Sequence, residues 1–156
     1  MVFRAAIGAG SAYSQIKQIM ADTRAACVQY EADIAANGAN ANELLSLLNF
    51  LQTQYLRLDT LDDAPGVAEE ARRDTNDPTY DVVPEYLTAR NAIAAARDGI
   101  KAALPTGTGG RPDLYEWSAD GFSVVPRSFT AGQTASILPL LAAVIAAITT
   151  DFVVPV

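Results

Sequence analysis

The sequence predicts a mainly α protein, in which four long helices form a bundle and a β-hairpin is inserted before the last helix. Three observations predict this fold class. Apolar residues recur at helical spacing in four segments, and clusters of Gly, Pro and Asn separate those segments. The stretch LYEWSADGFSVV, residues 114–125, instead alternates with a period of two. Hydrophobic residues make up 50% of the 156-residue chain, so a single core is expected.

The first helix is predicted from Ser11 to Ala36. Ser11 is a suitable N-cap, and Asn37-Gly38 is a typical left-handed stop. Spacings of three and four residues place an apolar seam on one face, which predicts packing against a partner helix. The seam consists of Tyr13, Ile16, Met20, Thr23, Cys27, Tyr30 and Ile34.

The second helix is expected to begin at Asn42 as its cap and to continue to Leu61, and its many leucines favour a central position. A short helix from about Pro65 to Asp74 follows. The third long helix is predicted from Val82 to Leu104, with Pro84 tolerated in its first turn. Its residues expected to face inward are Val83, Leu87, Ile93, Ile100 and Leu104.

Residues 105–112, rich in Gly and Thr, are expected to form a flexible loop. Residues 113–128 then predict a hairpin around Asp120-Gly121, a strong hairpin signal. With a two-residue turn, Trp117 lies opposite Val124 on one face, and Glu116 lies opposite Val125 on the other.

Thr130-x-x-Gln133 is a capping box that opens the last helix. Its apolar stripe includes Ile137, Leu141, Val144, Ile145 and Ile148, and Pro139 is expected to kink it. The termini are predicted to be extended arms, residues 1–10 and 151–156. The interpretation is therefore a single helical-bundle domain over residues 1–156.

Charge and hydropathy argue against several classes of partner. The net charge is −7, and the basic residues form no stripe, so neither sequence-specific nucleic-acid binding nor an anionic membrane surface is expected. The longest apolar run, Ile137 to Ile148, is short of the roughly 20 residues that span a bilayer. The N-terminal stretch does not read as a signal peptide. The one cysteine, Cys27, is expected to be a small buried hydrophobe.

Catalytic motifs are weak throughout. The chain has no histidine, which removes the commonest general base and metal ligand. IGAGSAY, residues 7–13, only partly matches a dinucleotide-binding fingerprint, and TGTGG, residues 106–110, lacks the Lys-Ser/Thr end of a phosphate loop. The pairs Asp62/Asp63 and Glu69/Glu70 lack calcium-loop spacing. We therefore expect no catalytic residue, no cofactor and no metal.

Surface and terminal residues are better candidates for contacts between subunits. Arg90 and Arg97 either lie along the bundle edge or form ion pairs between subunits. The aromatic residues around Trp117 are either core or an anchor for a partner. The candidate interface residues are Tyr115, Trp117, Phe122, Val124, Arg90, Arg97, Leu140, Phe152, Val153 and Val154.

Three stretches carry a resemblance to a known class of proteins. APGVAEEARRDTNDP (64–78), YEWSADGFSVVPRSF (115–129) and FTAGQTASILPLL (129–141) together resemble segments of small helical virion proteins of tailed bacteriophages. The most specific part is the start of the last helix, where Phe129-Thr130-Ala131-x-Gln133-Thr134 precedes spaced leucines and isoleucines.

The resemblance implies a structural role without catalysis. Within that class we expect a head-to-tail connector or adaptor subunit. Such a subunit would form a homo-oligomeric ring in the virion, assemble in the host cytoplasm, and contact portal and tail or capsid proteins. An acidic ring would also let DNA pass without gripping it. The alternatives are a capsid-associated decoration protein, a small cytoplasmic binding module, and an enzyme that uses carboxylates or arginine.

Overall fold

The structure is a computed structural model that describes residues 11–61, 64–104, 114–127 and 129–148. Over these residues it is mainly helical, with one two-stranded antiparallel hairpin before the last helix, which confirms the predicted fold class. The elements are α1 (Ala12–Asn37), α2 (Ala41–Leu61), α3 (Val67–Thr75), α4 (Val83–Ala103), β1 (Tyr115–Trp117), β2 (Val124–Pro126) and α5 (Ala131–Ala147). The predicted arms 1–10 and 151–156 and the predicted loop 105–112 lie outside the described residues.

Helix α1 begins and ends within one residue of the prediction, and Ser11 is its N-cap as predicted. The Ser11 side chain accepts a hydrogen bond of 3.1 Å from the Ser14 amide. At the other end Gly38 has a φ of 77°, and its amide donates to the Ile34 carbonyl. A residue with a Cβ is disfavoured at that φ, so the glycine permits the chain to leave the helix there.

The N-cap of α2 is Asn40, and the prediction of Asn42 is wrong by two residues. The Asn40 side-chain oxygen accepts a hydrogen bond of 2.9 Å from the Glu43 amide. Asn42 already lies in the first turn, and its own side chain accepts a hydrogen bond from Tyr115. Both asparagines suit a cap by type, so residue type alone does not distinguish them.

Helix α4 tolerates Pro84 in its first turn, as predicted. The buried residues Val82, Tyr86, Ala89 and Ile93 follow one another at spacings of four, three and four residues. Val83 is one position off this seam and is 39% exposed, so the prediction that it faces inward is wrong. One residue rotates a side chain by about 100° around a helix, which carries Val83 away from the core.

The four long helices pack in the cyclic order α1, α2, α4, α5, and α3 packs on α1. Contacts between Arg90 and Asp59 and between Arg97 and Gln52 show that α2 and α4 run antiparallel. A hydrogen bond from the Ala39 amide to Thr134 joins the α1–α2 turn to the first turn of α5. Helices α1 and α4 therefore end, and α2 and α5 begin, at the same end of the bundle, which we call the hairpin end.

The core runs along the inside of this bundle, and each long helix contributes to it. Its fully buried side chains include Ile16, Met20, Cys27, Ile34, Leu44, Leu47, Leu51, Leu58, Ile93, Ile100, Ile137, Leu141 and Val144. The inward stripe predicted for α5 is thus confirmed. The central position predicted for α2 is wrong, because α2 packs on α1 and α4 and leaves Leu45 and Leu56 exposed. The capping box of α5 is present as well, with Thr130 and Gln133 bonding each other's backbone amides.

The buried side chain of Gln54 joins α2 to α1 through hydrogen bonds. The buried Gln54 amide donates to the Thr23 hydroxyl at 3.0 Å and to the Ile19 carbonyl at 3.3 Å. Thr23 donates in turn to the same carbonyl at 2.6 Å, and the Gln54 oxygen accepts from Arg57. Because burying an unbonded amide is costly, these partners are what allow Gln54 to lie in the core.

Candidate functional site: an exposed apolar hairpin

The hairpin adopts the register that its sequence predicts. Trp117 pairs with Val124, and Glu116 pairs with Val125. The turn itself is wider than two residues, because the strands end at Trp117 and resume at Val124. The Gly121 amide donates to the Ser118 carbonyl at 2.9 Å, and Gly121 has a φ of 76° that suits glycine.

Hydrogen bonds to Asp120 hold this turn in shape. Its carboxylate accepts from the Ser118 hydroxyl and from the Phe122 amide. The hydrogen bond from Ser118, followed by that from the Phe122 backbone, lowers the pKa of Asp120 below its usual value. The carboxylate therefore stays charged and keeps its two partners over a wider acidic range.

Contacts at its base attach the hairpin to the bundle. Leu114 is buried in the core, and the Tyr115 hydroxyl donates a hydrogen bond of 2.8 Å to Asn42 at the start of α2. Arg127 donates to Glu116 at 3.3 Å across the two strands. A two-stranded hairpin is only marginally stable alone, so these contacts fix its position at the hairpin end.

Beyond this base, large apolar side chains lie in solvent. Trp117 is 69% exposed, Val124 opposite it is 58% exposed, and Phe122 in the turn is 90% exposed. Tyr115 lies on the same strand face as Trp117, two residues away, and is partly exposed as well. The interpretation of this aromatic group as part of the core is therefore wrong. We call these four residues the hairpin patch.

Arg90 and Arg97 both have partners within the chain. Arg90 forms an ion pair of 3.0 Å with Asp59 of α2. Arg97 donates to Gln52 at 2.7 Å, pairs with Asp98 at 2.9 Å, and lies over the Tyr55 ring, 5.0 Å from its centroid. Both guanidinium groups thus lie at the contact between α4 and α2, which corresponds to the bundle-edge interpretation.

Leu140 lies where two helices approach closely. It is half-buried on α5 and packs against Gly99 of α4, where an added Cβ would lie 2.7 Å from Leu140 Cδ1. The structure therefore gives Leu140 a partner inside the bundle. The other apolar candidates, Phe152, Val153 and Val154, lie outside the described residues.

A buried charge cluster joins α1 to α3, and the sequence reasoning missed it. Lys17 and Asp74 form an ion pair of 2.6 Å, with side chains only 3% and 2% exposed. The Tyr13 hydroxyl donates to the same Asp74 oxygen at 3.0 Å, and the Lys17 ammonium lies 5.4 Å from the Tyr13 ring centroid. One signal was available, since Lys17 lies one helical turn after the predicted seam residue Tyr13.

A groove opens between α1, α4 and α5, near the end of the bundle opposite the hairpin. Its volume is about 280 Å³. It is lined by Met20, Pro84, Glu85, Thr88, Ala146 and Ala147. The lining is mostly apolar, with Glu85 and Thr88 as its polar groups, so it suits an apolar side chain better than a charged ligand.

Among the described residues, no three His, Cys, Asp or Glu side chains lie close enough together to hold a metal ion. Glu69 and Glu70 lie in the first turn of α3, where they complement the helix dipole, whereas Asp62 and Asp63 lie outside the described residues. Within the same ranges, no helix has the length and apolarity needed to cross a bilayer.

Comparison of the chain with protein-family models, with curated proteins and with solved structures gave no match. The hairpin patch is therefore interpreted from its own geometry and from the sequence.

Proposed function

We propose that this protein is a non-enzymatic structural subunit of a tailed-phage virion, and that it forms a ring at the joint between head and tail. The observation that supports an assembly role is the hairpin patch. The virion and the joint come from the resemblance described above, in which small helical subunits associate with portal and tail proteins.

The hairpin patch has the composition of a binding hot spot. Tryptophan and tyrosine are enriched among the residues that dominate protein–protein affinity, and the patch combines both with Phe122 and Val124. Trp117 and Phe122 are largely exposed to water. Full burial of a side chain the size of Phe stabilises by about 1.5–3 kcal/mol. A partner that covers the patch would recover this free energy.

The bundle presents this patch in a defined position. Buried Leu114 and the Tyr115–Asn42 hydrogen bond attach the hairpin to α2, and the bonds to Asp120 shape its turn. A preformed surface loses little conformational entropy when a partner binds, so more of the contact energy contributes to affinity. This is what a subunit needs if it must join neighbours in one fixed orientation.

The acidic charge fits a position on the path of DNA. With a net charge of −7, a ring of such subunits would present a negative potential to phosphates. DNA would then pass through without adhering to the wall.

The decisive experiment is to count the copies of this chain in purified particles of the phage that encodes it, by quantitative mass spectrometry against the major capsid protein. We expect one ring's worth per particle. Hundreds of copies would show a shell decoration protein instead. Absence from the particles would overturn the virion proposal and favour a binding module that acts in the infected cell.

A matched pair of variants tests whether the hairpin patch carries the role. In particles produced with a Trp117→Ser chain, we expect the copy number to fall at least tenfold. Leu56→Ser is the control, because Leu56 is also a large exposed apolar residue, 50% exposed, but lies near the other end of α2. Equal incorporation of both variants would show that the patch is not the attachment surface.

A further inference from the structure

The outer edge of β1 offers backbone groups at Trp117, whereas the Tyr115 carbonyl already accepts a hydrogen bond from Arg127. The Ser118 amide donates to Ser123 and the Arg127 amide donates to Leu114, so residues of even number on β1 direct their backbone groups toward β2. By the alternation of an antiparallel ladder, the N–H and C=O of Trp117 point away from β2. A further strand could therefore pair along β1 beside the exposed Trp117 side chain.

The outer edge of β2 is less suitable for such pairing. Pro126, paired with Tyr115, has no N–H to donate. A partner strand is thus directed to β1, where Trp117 is 69% exposed.

The sequence that follows α5 matches this edge chemically. Phe152, Val153 and Val154 are an aromatic and two β-branched residues, the types most favoured in strands. If this segment paired as a strand, alternation would place Phe152 and Val154 on one face, toward the indole of Trp117. Pro155 follows directly and, lacking an N–H, would end the pairing after this short segment.

Distance separates these residues from the hairpin of their own chain. Helix α5 begins at the hairpin end and runs 17 residues away from it, about 25 Å at 1.5 Å per residue. Phe152 follows Ile148 by four residues, which span at most about 14 Å when fully extended. Four extended residues are therefore shorter than α5 and do not span the distance from its end back to the base of the hairpin.

We infer that the hairpin patch and the outer edge of β1 bind the Phe152–Val154 segment of a second copy of this chain. This inference deepens the proposed function, on whose self-assembly it rests. The donor segment follows the end of α5 that is opposite the hairpin end, so the contact is head-to-tail. Repetition of a head-to-tail contact gives a ring when the rotation closes and a filament when it does not.

Cysteine cross-linking between two variants tests this contact directly. Glu116→Cys is made in one full-length chain and Val153→Cys in another. Glu116 lies on the face opposite Trp117, and in the inferred pairing Val153 would lie on the face opposite Phe152. The surface ion pair of Glu116 contributes little to stability. The native Cys27 does not compete, because it is buried and burial raises its pKa to about 12.

The two variants are mixed in equal amounts and oxidised with copper phenanthroline. We expect a disulfide-linked heterodimer at least ten times more abundant than that formed when Ala25→Cys, an exposed position in the middle of α1, replaces Glu116→Cys. A yield equal to that of the Ala25 control would overturn the inference.

The alternative is that the Phe152–Val154 segment binds within its own chain, in the groove beside Ala146 and Ala147. A Thr88→Cys/Val153→Cys double variant tests it, since Thr88 lines that groove. We expect this variant to form little intrachain disulfide when oxidised at high dilution. A fast, concentration-independent intrachain disulfide, without cross-linking between the mixed variants, would place the segment in the groove and overturn the inference.

Sedimentation velocity of the purified chain provides an independent measurement. We expect Trp117→Ser and Phe152→Ser each to weaken self-association about 30-fold, and the double variant to be no weaker than the single ones, because both remove one contact. Independent, multiplying effects would show two separate contacts and overturn the inference. The cross-linking and sedimentation results can contradict this contact while particles still contain the copy number of a single ring. In that case the proposed function stands and only this contact is wrong.

Discussion

The close approach of α4 and α5 gives the sharpest prediction about stability. In a Gly99→Ala chain the new Cβ would lie 2.7 Å from Leu140 Cδ1 and 3.0 Å from Cδ2, whereas ordinary contacts are 3.4–4 Å. Leu140 must change rotamer or the two helices must separate. Overpacking of this kind costs about 1–3 kcal/mol. Alanine gains about 0.5–1 kcal/mol over glycine inside a helix. We therefore expect a net loss of about 1 kcal/mol in the free energy of unfolding.

When Leu140 is replaced by alanine, the effect of Gly99→Ala on the free energy of unfolding is expected to change sign. In a Leu140→Ala chain the clashing side chain is gone, so Gly99→Ala keeps only its helix-propensity gain and stabilises by about 0.5–1 kcal/mol. Urea unfolding of the four proteins, with unchanged m-values, measures the coupling energy. If Gly99→Ala stabilised both backgrounds equally, Leu140 would not set the distance between these helices.

The remaining predictions act on single contacts. Lys17→Met removes the ammonium group that pairs with the buried Asp74, and we expect urea unfolding to show a loss of about 3–5 kcal/mol, most of it recovered when Asp74→Leu is added. Thr130→Ala removes the capping box, so thermal unfolding is expected to show a loss of about 1 kcal/mol, which Thr130→Ser restores. Trp117→Ser, on an exposed strand, is expected to change the unfolding free energy by less than about 0.5 kcal/mol. Burial raises the pKa of Cys27 from 9.0 to about 12, so the unfolded chain loses this proton first as the pH rises above 9.0. The Cys27→Ala chain is therefore expected to lose less Tm over that alkaline range than the parent, and an equal loss would contradict the reasoning.

Local sequence signals predicted the helices well because they depend on residues close together in the chain. The caps at Ser11 and Thr130 and the register of Trp117 with Val124 each depend on neighbours within a few residues, and all three are confirmed. The errors at Asn42 and Val83 are shifts of two residues and one residue. In each case a residue of the same type lies at the correct position, so residue type alone does not distinguish the two positions.

Contacts between distant segments could not be predicted in this way. Lys17 and Asp74 are 57 residues apart, and charged residues are ordinarily assigned to the surface. The packing of Leu140 over Gly99 depends on how closely two helices approach. The spacing of apolar residues along the sequence does not give this distance. The exposure of Trp117 was also open, because the alternation of a hairpin defines its two faces without showing which one the bundle covers.

The hydrogen bonds of Gln54 have a consequence for the alignment of α1 and α2. Leucine-lined helices can slide past each other by one turn, about 5.4 Å, and still bury apolar surface. Such a slide would separate the Gln54 amide from Thr23 and the Ile19 carbonyl and leave a buried donor unbonded. Gln54 therefore fixes the axial register of α1 against α2, as a buried polar residue does in a coiled coil. This register also sets where along the bundle axis the α1–α2 turn contacts α5.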